Sequence, residues 1–178
     1  MRSEAIDRVR LIFDLFDANG NGVLESDDFD LMADHVVAAV PDAEEDAKAA
    51  MVAAFGTYWT TLLRELDANR DGRISFEEFK DCVLAPERFH DALEDFATSL
   101  ANLGDLAGDG YVTRPVFVAL MTAIGFRLPN IHALFDAFDP TEDDRILAAT
   151  WLTGIQEYYA PDKAGIPGDR LLGVPVTG

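Results

Sequence analysis

The chain has 178 residues and a formal net charge of −19, with 33 Asp and Glu against 14 Lys and Arg. That balance excludes nucleic acid as a partner, because phosphate binding needs a basic face, and it argues equally against an anionic membrane surface. The single cysteine, Cys82, rules out an internal disulfide, allows a reducing compartment and reads as a buried thiol.

In chain order, residues 5–16 carry Ile6, Val9, Ile12, Phe13 and Phe16 at helical spacing. A polar stretch from Asp17 to Asp28 follows, and Phe29, Met32 and Val36 resume the helical pattern. Pro41 suits a boundary before a long helix from about Asp46 to Leu66, marked by Ala50, Phe55, Trp59, Leu62, Leu63 and Leu66. A second polar stretch, Asp67 to Glu78, leads into Phe76, Phe79 and Val83. Pro86 punctuates, and Phe89, Leu93, Phe96, Leu100 and Leu103 run up to a third loop, Asp105 to Val116. Phe117, Leu120, Met121 and Ile124 form the next helix, which Gly125 ends. Ile131, Leu134, Phe135 and Phe138 precede a fourth loop, Asp139 to Thr150, and Leu147, Trp151, Leu152 and Ile155 follow it. The pattern predicts an all-α fold of eight helices in four hairpins. The remainder is too rich in Pro and Gly for a helix but too apolar for a solvated tail, so it should fold back and bury Leu171, Leu172 and Val174.

The loops carry the chemistry. Asp67, Asn69 and Asp71 sit two apart, Gly72 follows, and Glu78 lies seven beyond Asp71. This meets the calcium-loop pattern of an EF-hand at every specified place. Ca²⁺ takes about six to eight oxygens. Alternate residues of a tight loop supply them: the three side chains just named, the Arg73 carbonyl, Ser75 directly or through a water, and the Glu78 carboxylate with both oxygens. The first loop repeats the design with Asp17, Asn19, Asn21, the Val23 carbonyl, Glu25 and Asp28 around the bend at Gly22. Asp28 is one methylene shorter than Glu, which doubts bidentate reach and lets Mg²⁺ compete. In the third loop Ala107 and Val116 stand where ligands belong. The fourth lacks both the Gly and the final Glu, so Asp144 must take a left-handed backbone. Two Ca²⁺ ions are therefore expected, both in the first half. Leu24, Ile74, Val112 and Ile146, each two places after the bend, should face one another in pairs, which gives the degenerate loops a structural role.

Four such units, a widened first gap, lobes joined without a tether and an apolar tail resemble the sarcoplasmic calcium-binding protein family, in particular its actinobacterial, calerythrin-like members. The resemblance implies two tightly packed pairs, residues 1–85 and 86–160, with residues 161–178 packed on the core. It also implies an intracellular, cytoplasmic Ca²⁺ buffer and not an enzyme. A monomer is expected, with calcium ions as the principal partner. The few lysines (Lys48, Lys80, Lys163) fit a GC-rich, bacterial source. No signal peptide is legible at Met1-Arg-Ser-Glu-Ala, and no apolar run is long enough to span a membrane. Two alternatives compete. A sensor would open a groove to a target protein, but Met1, Met32, Met51 and Met121 do not cluster as adaptable grooves favour. A photoprotein-like chromophore site would recruit Trp59, Trp151, Tyr158, Tyr159 and His132, which ordinary core packing explains better. His35, His90 and His132 lack the spacing of a zinc site.

Overall fold

The computed structural model describes residues 3–173, apart from the side chains of Cys82 and Pro86. The expected burial of Cys82 and of Val174 therefore lies outside the described residues. The chain forms α1 (Ser3–Phe16), α2 (Ser26–Ala38), α3 (Glu45–Leu66), α4 (Phe76–Val83), α5 (Pro86–Gly104), α6 (Arg114–Ile124), α7 (Leu128–Ala137) and α8 (Ala148–Tyr158). Four short strands sit inside the loops: β1 (Val23–Leu24), β2 (Ile74–Ser75), β3 (Tyr111–Thr113) and β4 (Arg145–Leu147). Proline stands in the first turn of α5, α6 and α7, where its missing N–H costs nothing. Gly125 closes α6 in a left-handed conformation.

The strands make two antiparallel bridges, β1 with β2 and β3 with β4. Leu24 lies opposite Ile74 and Val112 opposite Ile146, and all four are buried. The 22 residues of α3 fill the wide first gap. Rings on this helix join the two halves. Tyr58 meets Phe89 edge-on at 4.7 Å, and Phe55 meets Phe96 at 5.2 Å, both favoured aromatic geometries. Phe16 stacks on Phe29 at 5.0 Å in the first half, while Phe117 meets Trp151 at 4.9 Å in the second. Helix α2 packs on α6, and α5 on α8, so one core runs through both halves.

After α8 the chain turns back, and a 3₁₀ turn, Pro167–Leu172, lies against α1, α7 and α8. Leu171 is buried there. Leu172 is 36% exposed, contrary to expectation, because neighbours in a three-per-turn helix point about 120° apart and cannot both face inward. Gly168 meets the Tyr158 ring so closely that a Cβ would fall 2.7 Å from it. Arg8 on α1 fastens this segment. Its side chain has no solvent exposure, and it donates to the carbonyls of Tyr158 (2.6 Å), Ala160 (3.0 Å) and Lys163 (3.1 Å) and to the Asp169 carboxylate (2.6 Å). The Tyr158 hydroxyl returns a bond to the Arg8 carbonyl at 2.9 Å.

Arg8→Met keeps an apolar stem but leaves four acceptors without their donor. It should lower unfolding stability by about 2–4 kcal/mol, read by urea denaturation, and open residues 160–166 to protease. A loss below about 1 kcal/mol would mean that Leu171 and Gly168, not the guanidinium, hold the segment.

Candidate metal centre

The second loop is built from short-range bonds that fold its polar side chains back over their own backbone. Asp67 accepts the amides of Asp71 (3.0 Å) and Gly72 (2.9 Å), one on each oxygen. Asn69 Oδ1 also accepts the Asp71 amide at 3.0 Å, and Asp71 Oδ1 accepts the Arg73 amide at 2.9 Å. Two left-handed residues make the turn, Arg70 at place four and Gly72 at place six. Glu78, in the first turn of α4, accepts from the Ser75 amide (2.9 Å) and hydroxyl (3.0 Å), which holds its carboxylate beside the loop. All the donors in this set are oxygens, four of them on side chains of Asp, Asn and Glu. That is the chemistry a hard divalent cation selects.

The first loop repeats these bonds. Asp17 accepts from the amides of Asn21 (3.2 Å) and Gly22 (2.8 Å), Asn19 from that of Asn21 (3.0 Å), and Asn21 from that of Val23 (3.1 Å). Its left-handed residues are Gly20 and Gly22. Asp28 takes the place of Glu78 and accepts the Glu25 amide at 2.9 Å. The shorter side chain is drawn deeper, to 3% exposure. Burial pushes its carboxyl pKa up, against backbone hydrogen bonds that lower it, and the nearby charges of Asp17 and Glu25 push it further up. Ionised Asp28 is therefore a cost to the metal-free fold.

The third loop keeps most of the frame but lacks side-chain oxygens at places three and twelve. Asp105 accepts from the amides of Asp109 (3.1 Å) and Gly110 (2.9 Å), Asp109 accepts from that of Tyr111 (3.1 Å), and Gly108 and Gly110 are left-handed. Ala107 and Val116 offer no oxygen from their side chains. The fourth loop abandons the frame. Its left-handed residues are Asp139 and Asp144, so place one has taken the strain that place four bears elsewhere. The Arg145 carbonyl, at place seven, already accepts the Thr141 amide at 2.8 Å. The Asp144 side chain is held by Arg114, whose Nε bonds both its oxygens (2.8 and 3.0 Å) while Nη2 reaches Asp136 at 2.6 Å. That guanidinium pulls the Asp144 carboxyl below its ordinary pKa.

Sequence spacing missed one cluster. His90, Asp91 and Glu94 on α5 bring three ligand atoms within 4.8 Å of one another, all exposed; the i, i+1, i+4 spacing was the available signal.

The EF-hand domain pair family matches residues 6–84, the two loops with complete frames and an acid at place twelve. Calerythrin of Saccharopolyspora erythraea is 27% identical over 165 residues, 87% of this chain and 92% of that protein. The sarcoplasmic calcium-binding protein alpha chain of Penaeus vannamei is 26% identical over 157 residues, covering 82% and 80%. Among solved structures, a Streptomyces coelicolor calcium-binding protein described in terms of prokaryotic calcium-mediated regulation superposes with a TM-score of 0.71. It is 25% identical, over 87% of this chain and 97% of that one. With four helix–loop–helix units, of which residues 6–84 match the EF-hand domain pair, the chain is similar over most of its length to calerythrin and the sarcoplasmic calcium-binding proteins.

Proposed function

We propose that the chain is an intracellular Ca²⁺ buffer that holds two ions, one in each loop of residues 1–85, with Mg²⁺ competing at the first. One observation carries this reading: only these two loops combine the repeated frame of amide bonds with a carboxylate at place twelve. Asp17, Asn19, Asn21 and Asp28 serve the first ion with the Val23 carbonyl; Asp67, Asn69, Asp71 and Glu78 serve the second with the Arg73 carbonyl. Glu25 and Ser75 stand at place nine. A bound cation would relieve the repulsion among these acids. Residues 86–160 then act as a structural partner, and residues 161–173 cover the core they share.

Buffering is favoured over sensing because the surfaces a sensor would open are spent on each other. Met32, Met51 and Met121 are buried, and the rings of α3 and α5 interlock across the halves. The larger exposed apolar side chains, such as Leu31, Val52, Leu106 and Leu128, are spread over different elements, which supports a monomer. Among the described residues no helix is long and apolar enough to cross a membrane. A chromophore site is disfavoured: the cavity among Phe96, Met121, Trp151, Tyr158 and Leu171 has a volume of about 60 Å³, whereas pockets for drug-sized ligands measure roughly 300–1,000 Å³.

Native mass spectrometry in Ca²⁺ with millimolar Mg²⁺ should find two tightly held calcium ions per chain. Three or four would overturn the assignment of the second half. Glu78→Gln removes the charge from place twelve and should weaken the second site at least tenfold, reported by the fluorescence of Trp59, whose ring lies tilted 5.1 Å from that of Phe29. Unchanged affinity would remove that loop as the principal site. Asp28→Glu should favour Ca²⁺ over Mg²⁺ at the first site by several-fold in competition calorimetry. Because burial raises the Asp28 pKa, its contribution to the metal-free fold is best at low pH and is lost as pH rises through that raised value. Asp28→Asn should therefore raise the melting temperature in chelator at neutral pH while weakening the first site; a lower melting temperature would contradict the burial account.

A further inference from the structure

The two bridges place an arginine at the same position in each pair. Arg73 and Arg145 both occupy place seven of the second loop of their pair, immediately before or at the start of the pairing strand. The Arg145 carbonyl accepts the Thr141 amide of its own loop, and each arginine side chain crosses to the partner loop. In the first pair the register Val23–Ser75 and Leu24–Ile74 continues to set Arg73 opposite Glu25. Side chains directly opposite on an antiparallel pair are close enough to interact. Arg73 Nε lies 3.1 Å from Glu25 Oε1. The other Glu25 oxygen accepts from Asn21 Nδ2 at 3.1 Å, and Asn21 Oδ1 accepts the Val23 amide, which fixes which way round the Asn21 amide stands. In the second pair Arg145 is opposite Thr113, which has no carboxylate. Its Nη1 reaches past to Asp109 Oδ2 at 3.1 Å, steadied by the guanidinium stacked 4.4 Å over Tyr111. Asn21 and Asp109 are both place five of the first loop in their pair. Both arginines thus end on the same place, one through a glutamate and one directly.

We propose that Arg73 is a positioning and specificity-determining residue for the first metal site, acting through Glu25. It holds Glu25 against Asn21 and withholds that carboxylate from the ion, so the first loop offers Asp17 and Asp28 as its only charged donors. The second loop offers Asp67, Asp71 and Glu78. The arginine of the stronger loop thereby sets the strength of the weaker one. Arg145 shows the same device carried further: in the second pair the guanidinium rests on the place-five acid itself, in loops that lack a carboxylate at place twelve. The inference rests on the first loop binding metal. The Arg73 side chain is 59% and the Glu25 side chain 30% exposed, so solvent and salt screen the pair and its effect is modest.

The test is a double-mutant cycle read by two-site calcium calorimetry at low ionic strength, with Arg73→Gln, Glu25→Gln and the double variant. None of these changes removes the Arg73 backbone carbonyl. Arg73→Gln should tighten the first site by about two- to fivefold. The gain should vanish in the Glu25→Gln background, and Arg73→Lys should behave nearly as the parent. A gain from Arg73→Gln that is the same in the parent and in the Glu25→Gln background would overturn the proposal, since the arginine would then act only as a diffuse charge. A metal-free readout stands beside it. In chelator, the NMR signals of the Asn21 side-chain amide should move in Glu25→Gln and also in Arg73→Gln. Signals unmoved by Arg73→Gln would break the chain from Arg73 to Asn21. If calorimetry finds no calcium at the first loop in any variant, the reading of that loop as a site falls, while the amide signals still decide whether Arg73 orients Glu25.

Discussion

The arrangement depends on two bridges of two and three residues. Leu24 against Ile74 and Val112 against Ile146 are buried apolar contacts made by residues whose neighbours on either side are loop frame. A loop rich in acids cannot bury itself, because each carboxylate it carries costs too much to desolvate. Tying two such loops back to back through one apolar residue each gives them a dry floor, and the amide bonds along Asp17, Asn21, Asp67 and Asp71 then shape the wet side. The helices leave from these floors in fixed directions, which lets the rings of α3 and α5 meet across the halves.

The same constraint explains why the second pair survives the loss of its ligands. Its floor is intact, and three of its loop acids, Asp109, Asp143 and Asp144, are paired with arginines of the protein. Arg114 spans Asp144 and Asp136 while stacking 4.4 Å from the Phe135 ring, and Arg145 spans Asp109 and Asp143. Stacking on a ring keeps each guanidinium in place, so less side-chain freedom is lost in making the ion pair. The first pair keeps most of its acids and, among the described residues, has a single cross-loop arginine.

Much of this was legible in the chain because the signals are local. Helix periodicity, the bend at Gly22 and Gly72, and the apolar residue two places later all act within a dozen residues, and each appears where the spacing puts it. The left-handed Asp144 follows from the missing glycine in the same way. What the sequence did not disclose depends on partners far away in the chain. Leu171 and Leu172 look alike in sequence, and only a 3₁₀ turn separates them into one buried and one exposed. Arg8 reads as an ordinary polar residue on an amphipathic helix, yet it is the most deeply buried charge among the described residues. In the sequence Arg73 offers only a carbonyl at place seven, since the residue opposite its side chain is a matter of register.

The bonds of Arg8 also bear on the order in which the molecule can assemble. Chains emerge from the ribosome N-terminus first and begin to fold as they do so. Arg8 is made well before its partners, which follow about 150 to 161 positions later. Throughout that interval its guanidinium must stay hydrated, so α1 cannot settle fully against the core even after both loops of the first pair have been synthesised. The nascent first pair thus carries every oxygen of its two loops before its packing is complete, and a cation present during translation would meet a looser form than the finished protein offers.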